Sequence, residues 1–440
     1  MSRPKKKRRI NDGGGGGGGG NSTTIDDLDD NMLTQILFRL PSCAPIIACK
    51  LVNKRWCSLI SDPKFASHFS DHKKENTSLS KPWTFIASKN DDNGPLLNDD
   101  NTSTIESVFG SPKFSLRFIP CGVVIEATFK DLVLCSDPKT SYSQGRIYYI
   151  TSPLTKQWVR LPPSPAIIDD KCPSKPWVGL VCQQPYDDFT QNYKFRVVVI
   201  NHCPPPVYEL LVYCSLIGEW KKFNLSVSIN PELAAQKHLY DTQFQGVVCN
   251  GIIYLYHRLY FAAFNPFDVE ETTETRKIEA KVLPILPDPS IEEGYLRESS
   301  GKLFIIHNPN KKNYVSYKRR GNAIELSLKV WKMDPNQVPL IWKTTFKGSC
   351  RGNVNNPFDI KSSYRGNIHF VWNLGIHPNN DKLIYILLWR EDRLVLCDTR
   401  TKLIKPLFSL PGYRFKLLHR LELQWWPTSV PKAYLSNTSP

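Results

Sequence analysis

The residue sets that could carry out a reaction fail on their spacing. None of the nine histidines falls in a His-Glu-x-x-His zinc-binding helix, and no Gly-x-Ser-x-Gly nucleophile elbow occurs. Gly246 and Gly251 have the glycine spacing of a phosphate-cradling loop, but Ile252 stands where a lysine would have to reach the phosphate. Ser429-Val430-Pro431-Lys432 reads Ser-x-x-Lys without its companion motifs, in a proline-rich stretch that supports a nucleophile poorly. The twelve cysteines contain no Cys-x-x-Cys pair, so no metal ligand set is expected. The chain is therefore expected not to be an enzyme, and to need no cofactor. Spacing leaves one catalytic possibility open, a site assembled from several repeats.

What remains is recognition chemistry. Lys311, Lys312, Lys318, Arg319 and Arg320 surround Tyr314 and Tyr317, a basic-aromatic loop that could grip an acidic segment or a phosphate. The plain alternative is a solvated run. Lys5, Lys6, Lys7, Arg8 and Arg9 follow Pro4 and precede eight consecutive glycines, Gly13 to Gly20. Such glycines form a tether that holds the cations accessible, as a monopartite nuclear import signal requires. A nonspecifically sticky tail is the alternative.

Composition narrows the setting. The 440 residues carry 57 Lys+Arg against 41 Asp+Glu, a net +16. Residues 1–24 hold +5 of this, residues 25–80 balance to zero, and the remaining +11 lies in residues 81–440. A neutral 25–80 segment is not a nucleic-acid reader, while the basic remainder permits acidic partners. Cysteines scattered in apolar runs such as Leu134-Cys135 and Leu396-Cys397 read as buried free thiols in a reducing compartment. No apolar run approaches the roughly 20 residues a bilayer needs. A soluble intracellular protein is expected, nuclear and also cytoplasmic, with no membrane partner.

The elements that must present these groups begin with a helical segment. Leu28, Met32, Leu33, Ile36, Leu37 and Leu40 fall at helical steps on one face. Asp26, Asp27, Asp29 and Asp30 supply N-cap candidates and charge against the helix dipole. Leu40-Pro41 ends the helix, and a second periodic run carries Leu51, Val52, Trp56, Leu59 and Ile60 up to Ser61-Asp62-Pro63. About 45 residues cannot build a self-sufficient core, so this surface needs a partner. A hairpin packed on a neighbouring domain is the alternative.

Residues 25–70 resemble a plant-type F-box, through Leu28, Met32, Leu33, Ile36, Leu37, Arg39, Leu40 and Pro41, then Val52, Arg55, Trp56, Leu59, Ile60, Pro63 and Phe65. The sequence departs from the pattern at Asp29, where the family usually has proline, and at a proline-rich link, Ser42-Cys43-Ala44-Pro45, that would delay the second helix. The resemblance implies a three-helix module docking a Skp-type adaptor, and through it a cullin–RING ubiquitin ligase. Its adaptor-binding set would be Leu28, Met32, Leu33, Ile36, Leu37, Leu40, Pro41, Val52, Trp56, Leu59 and Ile60. One sequence does not separate those that face the adaptor from those that face the core.

Beyond residue 81 proline is frequent and helical periodicity gives way to short β-rich runs such as Phe195–Ile200 and Lys302–Ile306. A strand, a polar turn, an aromatic and a second strand recur. Trp158, Trp220, Trp342 and Ile404 mark the copies at multiples of about 61–62 positions, with the missing copy near Lys281. Such a period in a β-rich chain suggests propeller blades, somewhat longer than the ~50 residues of a kelch blade. The phrases Val247–Tyr254 and Tyr148…Trp158 also resemble the kelch-like and F-box-associated domains that follow plant F-boxes. Six blades are expected, five to seven being possible, with the sixth shared between residues 84–130 and 412–430; a pair of β-sandwiches is the alternative. The marker tryptophans are expected to pack blades, and specificity to reside in loops at 88–104, 185–193, 309–322 and 348–358.

The reading is a multidomain α plus all-β chain. It divides into a tail (1–24), the F-box (25–70), a linker (71–83), a β-propeller (84–430) and a C-terminal tail (431–440). The expected role is substrate recognition in an SCF-type ubiquitin ligase, without catalysis of its own and with a target protein the sequence does not name. The rival is a nuclear scaffold or nucleic-acid-associated propeller with a vestigial F-box.

Overall fold

The computed structural model describes residues 25–40, 43–76, 83–89, 106–107, 116–119, 121–167, 175–183, 194–201, 207–228, 244–257, 260–268, 277–284, 294–307, 316–320, 323–353, 368–388, 393–409, 415–422, 426, 428 and 430. The chain divides into two compact units, Met1–Lys73 and Lys74–Pro440.

The first unit is helical. A 3-10 turn, Ile25–Asp27, precedes α1 (Asp30–Phe38), α2 (Cys43–Cys49), α3 (Lys54–Ser61) and α4 (Pro63–Asn76). A fourth helix replaces the expected three, and residues 71–76 of the expected linker are helical. The reason is local: Pro63 opens a new helix at the position that needs no N–H. That helix then buries Phe65, Ala66 and Phe69. Phe38 meets Phe65 at 5.2 Å and Phe69 at 5.8 Å between ring centroids. Lys73 Nζ donates to the Leu40 carbonyl at 2.7 Å, satisfying an acceptor at the end of α1. The proline-rich link does not delay α2, which begins at Cys43.

The second unit is built of strands. β1 (Trp83–Lys89) pairs with the short β2 (Glu106–Ser107). Five antiparallel meanders follow. The first is β3 (Val124–Phe129), β4 (Leu132–Ser136), β5 (Tyr148–Ser152) and β6 (Gln157–Arg160). The second is β7 (Trp177–Gln183), β8 (Lys194–Ile200), β9 (Val207–Cys214) and β10 (Glu219–Val227), and the third β11 (Gln245–Cys249), β12 (Ile252–His257), β13 (Tyr260–Phe264) and β14 (Lys277–Leu283). The fourth has β15 (Tyr295–Ser299), β16 (Lys302–His307), an added β17 (Ser316–Arg320), β18 (Ala323–Met333) and β19 (Lys343–Asn353). The fifth is β20 (Ile368–His377), β21 (Asn380–Leu388), β22 (Arg393–Asp398) and β23 (Leu403–Ser409). β24 (Phe415–Glu422) then returns to pair with β1, so the two ends of the domain share a sheet.

The first strands β3, β7, β11, β15 and β20, with β24, touch one another in a closed ring. The described core falls into clusters between successive sheets. One joins the first and second meanders through Leu134, Ile150, Val197 and Tyr213, and others join the second to third, third to fourth and fourth to fifth. A last cluster sets Ile86 and Leu421 of the closing sheet against Val133 and Cys135 of the first meander. Among the described residues each core cluster thus lies between neighbouring sheets, which is the packing of a propeller. The described strands thus form five meanders and a closing sheet, β2-β1-β24, that joins both ends of the domain. Fully buried Asp131 adds a tie at the closure, accepting from Thr428 N at 2.8 Å and from Thr428 Oγ1.

The repeat markers occupy equivalent places. Trp158, Trp220, Lys281 and Ile404 lie on the last strand of their meanders, and Trp342 immediately precedes one. The turn into that strand repeats a left-handed backbone residue at Lys156, Gly218 and Lys402, with φ of 57°, 72° and 59°.

Candidate functional site

The helical unit sorts the expected adaptor-binding set into two groups. α1 starts at Asp29, whose Oδ1 accepts from Met32 N at 2.7 Å. The departure from the family's proline is thus an N-cap that satisfies an otherwise unpartnered amide. From that start, Leu33 and Leu37 turn inward (0% and 1% exposed) while Met32 and Ile36, one turn apart, stand out at 55% and 43%. Asn53 caps α3 through Trp56 N at 2.9 Å, and Trp56 and Ile60 are buried. The turn before that cap leaves Leu51 90% and Val52 58% exposed. Arg55 joins the two helix starts, pairing with Asp30 at 2.9 Å and donating to the Leu28 carbonyl. The turn bearing Leu51 and Val52 is thereby held at the same end of the module as Met32. Leu28, Leu40 and Leu59 are half-buried, and Ile25 adds a further exposed apolar group.

Met32, Ile36, Leu51 and Val52 are large exposed apolar side chains on a small unit, the kind of surface that suits an interaction site. Leu33, Leu37, Trp56 and Ile60 serve the unit's own core instead. Periodicity could not separate the groups, since both lie at helical steps. Pro41 and the basic tail, Lys5 to Arg9, lie outside the described residues.

The basic-aromatic segment is not gathered as a loop. Tyr317, Lys318, Arg319 and Arg320 are on β17, hydrogen-bonded between β18 and β20. The paired edges of the long β18 and of β20 recruit this segment as a strand. Lys318 is exposed and lies opposite Glu325, which also holds Arg351 at 2.9 Å. Lys311, Lys312 and Tyr314 lie outside the described residues. Of the other expected loops, residues 348–353 are the end of β19 and 185–193 are outside the description.

A feature the sequence did not single out is the cavity inside the strand ring, about 1180 Å³ in volume. Its described lining holds Lys130, Lys175, Arg297 and Arg420 against Glu126, Glu298 and Glu422. Lys175 pairs with Glu126 at 2.7 Å, and Arg420 takes both Glu298 (2.6 Å) and Glu422 (2.7 Å). His419 Nε2 is buried with no hydrogen-bond partner among the described residues. Burial, and secondarily the charge of Lys175, lowers the His419 pKa to about 4. Burial also lowers Arg297 to about 10. Lys130, Lys175, Arg297 and Arg420 come from different parts of the ring, with no shared spacing that sequence reading could detect.

Comparison with known proteins adds family evidence. The profile described as "F-box protein At3g26010-like, beta-propeller" matches residues 119–407, and the F-box domain profile matches residues 25–68. The chain is 26% identical over 400 residues to F-box protein At5g49610 of Arabidopsis thaliana, covering 87% of this chain and 91% of that one. It is 25% identical over 318 residues to F-box protein At5g07610 of the same plant, covering 69% and 70%. Among solved structures, a chain of a nidogen/laminin complex aligns over 78% of this chain and 99% of its own, at 11% identity and TM-score 0.36. That resemblance is too loose to build on.

Proposed function

Because the chain belongs to the F-box proteins with an At3g26010-like β-propeller, we propose that it is a substrate-recognition subunit of an SCF-type ubiquitin ligase. Its helical unit docks a Skp-type adaptor and its propeller holds a target protein. The observation that carries the reading is the exposed apolar set Met32, Ile36, Leu51 and Val52 on a unit whose core is formed by Leu33, Leu37 and Trp56. A helix-in-groove partner covers such a surface. The chain then contributes proximity and orientation, while the bond-forming chemistry belongs to the associated RING and conjugating subunits. The cationic run at residues 5–9, on its glycine tether, would direct the complex to the nucleus.

Co-expression with a Skp-type adaptor and purification through the adaptor tests the docking claim. Stoichiometric recovery of the wild-type chain is expected, and failure to recover it would overturn the assignment. Fusing residues 1–20 to a cytosolic reporter tests the import claim separately, through nuclear accumulation or its absence.

A further inference from the structure

The long strands β18 and β19 form a ribbon with one buried and one solvent-facing side. On β18 burial alternates: Ile324, Leu326, Leu328 and Val330 enter the core between the fourth and fifth meanders, so Glu325, Ser327 and Lys329 face out. Cys350 of β19 joins the same core, which turns Ser349 and Arg351, and with them Lys347, to the outer side. The cross-strand contacts agree. Arg351 Nη2 pairs with Glu325 at 2.9 Å, and the hydroxyls of Ser327 and Ser349 lie 2.8 Å apart. Lys329 and Lys347 come next in the row, directly opposite each other in the register.

Strands on both flanks widen this outer side. On one flank β17 sets exposed Lys318 opposite Glu325. On the other, β23 joins β19 in parallel with Leu403 beside Arg351, and Arg351 N donates to the Lys402 carbonyl at 2.9 Å. Gly352 permits that approach, because a Cβ there would collide with the Ile404 carbonyl. Ile404 is buried in the shared core, so Leu403 and Lys405 on either side of it face out, and both are exposed.

The result is a sheet face about 13 Å long from Lys347 to Arg351, at roughly 3.3 Å per residue, and about 14 Å wide across four strands. Among the described residues this face carries Lys318, Lys329, Lys347, Arg351 and Lys405 against one carboxylate, Glu325. The next acid, Asp398 on the adjoining β22, serves its own turn, accepting from Arg400 N at 2.9 Å and Thr401 N at 3.4 Å. Like charges directly opposite, as at Lys329 and Lys347, repel across a sheet, and a carboxylate laid between them is drawn to both. Leu403, 49% exposed, adds an apolar foothold beside the cations.

We propose that this face of β17, β18, β19 and β23 docks an extended acidic segment of a target protein, its carboxylates directed to Lys329, Lys347 and Lys405 and an apolar side chain set on Leu403. Complementary charge steers such a segment and fixes its register, and charge-assisted hydrogen bonds to carboxylates hold it. The length of the face suits about four extended residues. Glu325 within the face and Leu403 at its side favour a mixed acidic and apolar peptide over the uniform phosphate backbone of a nucleic acid. The inference rests on the reading that the propeller holds a target protein, and adaptor recovery tests that reading separately: a chain that binds the adaptor but no acidic probe loses only this face.

The test is fluorescence anisotropy of the purified full-length chain with three labelled probes: a short peptide of glutamate pairs alternating with leucine, its glutamine counterpart, and a thymidine oligonucleotide. Saturable binding of the acidic peptide is expected, about tenfold tighter than the glutamine peptide and weakening as salt screens the contacts. Lys347→Glu combined with Lys405→Glu should weaken the acidic peptide by about tenfold. Lys277→Glu combined with Lys281→Glu, at exposed positions of β14, makes the same change in net charge elsewhere and should leave the affinity within about twofold. Absence of saturable acidic-peptide binding overturns the site, and an equal loss in the two double variants overturns its location. Oligonucleotide binding that is tighter than peptide binding and is lost with Lys347 and Lys405 overturns the choice of partner. If the Lys347 and Lys405 variant does not fold, carbodiimide coupling of the bound acidic peptide to the wild-type chain decides by mass spectrometry: adducts at Lys329, Lys347 or Lys405 support the proposal, and adducts only elsewhere refute it.

Discussion

The indole of Trp220 donates from Nε1 to the carbonyl of Pro162 at 2.9 Å, linking the last strand of one meander to the segment that leaves the last strand of the meander before it. The bond recurs between Trp342 and Pro284 at 3.1 Å, and both pairs are separated by 58 positions. The repeat is therefore held by a hydrogen bond between neighbours as well as by apolar packing. Trp158, in the first meander, packs edge-on against Tyr149 instead, at 5.9 Å between ring centroids.

Removing that donor while keeping an aromatic ring isolates its contribution. Trp220→Phe and Trp342→Phe should each lower unfolding free energy by about 1–3 kcal/mol, combining the lost bond and a smaller ring. Urea unfolding curves of the full chain provide the measurement. A change within error at both positions would remove the linking role.

The two groups of F-box residues should separate experimentally. Ile36→Asp with Val52→Asp should abolish recovery on an immobilised Skp-type adaptor while leaving helical circular dichroism intact, because both side chains are exposed. Leu37→Ala should instead destabilise the unit itself, by about 2–5 kcal/mol for a buried leucine. Adaptor binding by the double aspartate variant at wild-type strength would move the interface elsewhere.

At the start of α1, Asp29→Ala removes the oxygen that accepts from Met32 N. A loss of about 1 kcal/mol in the stability of the helical unit is expected, with Asp29→Asn and Asp29→Ser nearly neutral. Chemical denaturation followed by helical signal distinguishes these outcomes.

The left-handed turn positions predict opposite effects at equivalent sites. Gly218→Ala, at φ 72°, should destabilise the propeller by about 1 kcal/mol. Lys156→Gly and Lys402→Gly, at φ 57° and 59°, should be neutral or slightly stabilising. Parallel thermal melts of the three variants test the equivalence of the turns.

Acid sensitivity should trace partly to His419. Its folded pKa, about 4, lies below the ordinary 6.5, so the unfolded chain takes up this proton first. Stability is unaffected above about pH 6.5, falls as pH drops toward 4, and levels off below that. His377, also lowered, acts with the same sign. His419→Gln should flatten the slope of unfolding free energy between pH 6.5 and 4, and an unchanged slope would contradict the assignment.

The sequence by itself determined the local features. Helical steps from Leu28 to Leu40, the Leu40-Pro41 stop, and a strand-turn-aromatic unit recurring from Trp158 to Ile404 are read within a few tens of residues, because propensity and periodicity act over that range. They were enough to give an F-box followed by a propeller, with its last unit shared between the two ends of the domain. The helix that opens at Pro63 continues through residues 71–76, whose wholly polar sequence carries no apolar period and reads as linker. Only tertiary structure decided which apolar residues remain exposed: Leu33 and Met32 are adjacent in sequence, and the packing of α1 against its neighbours buries one and leaves the other out. Strand pairing likewise drew Lys318 out of an expected loop into β17, through contacts with β18 and β20. The cavity belongs wholly to this second level, since Trp177, Gly246, Arg297 and His419 come from four different strands. Ring closure brings such residues together across long stretches of chain, and a local pattern carries no record of that distance.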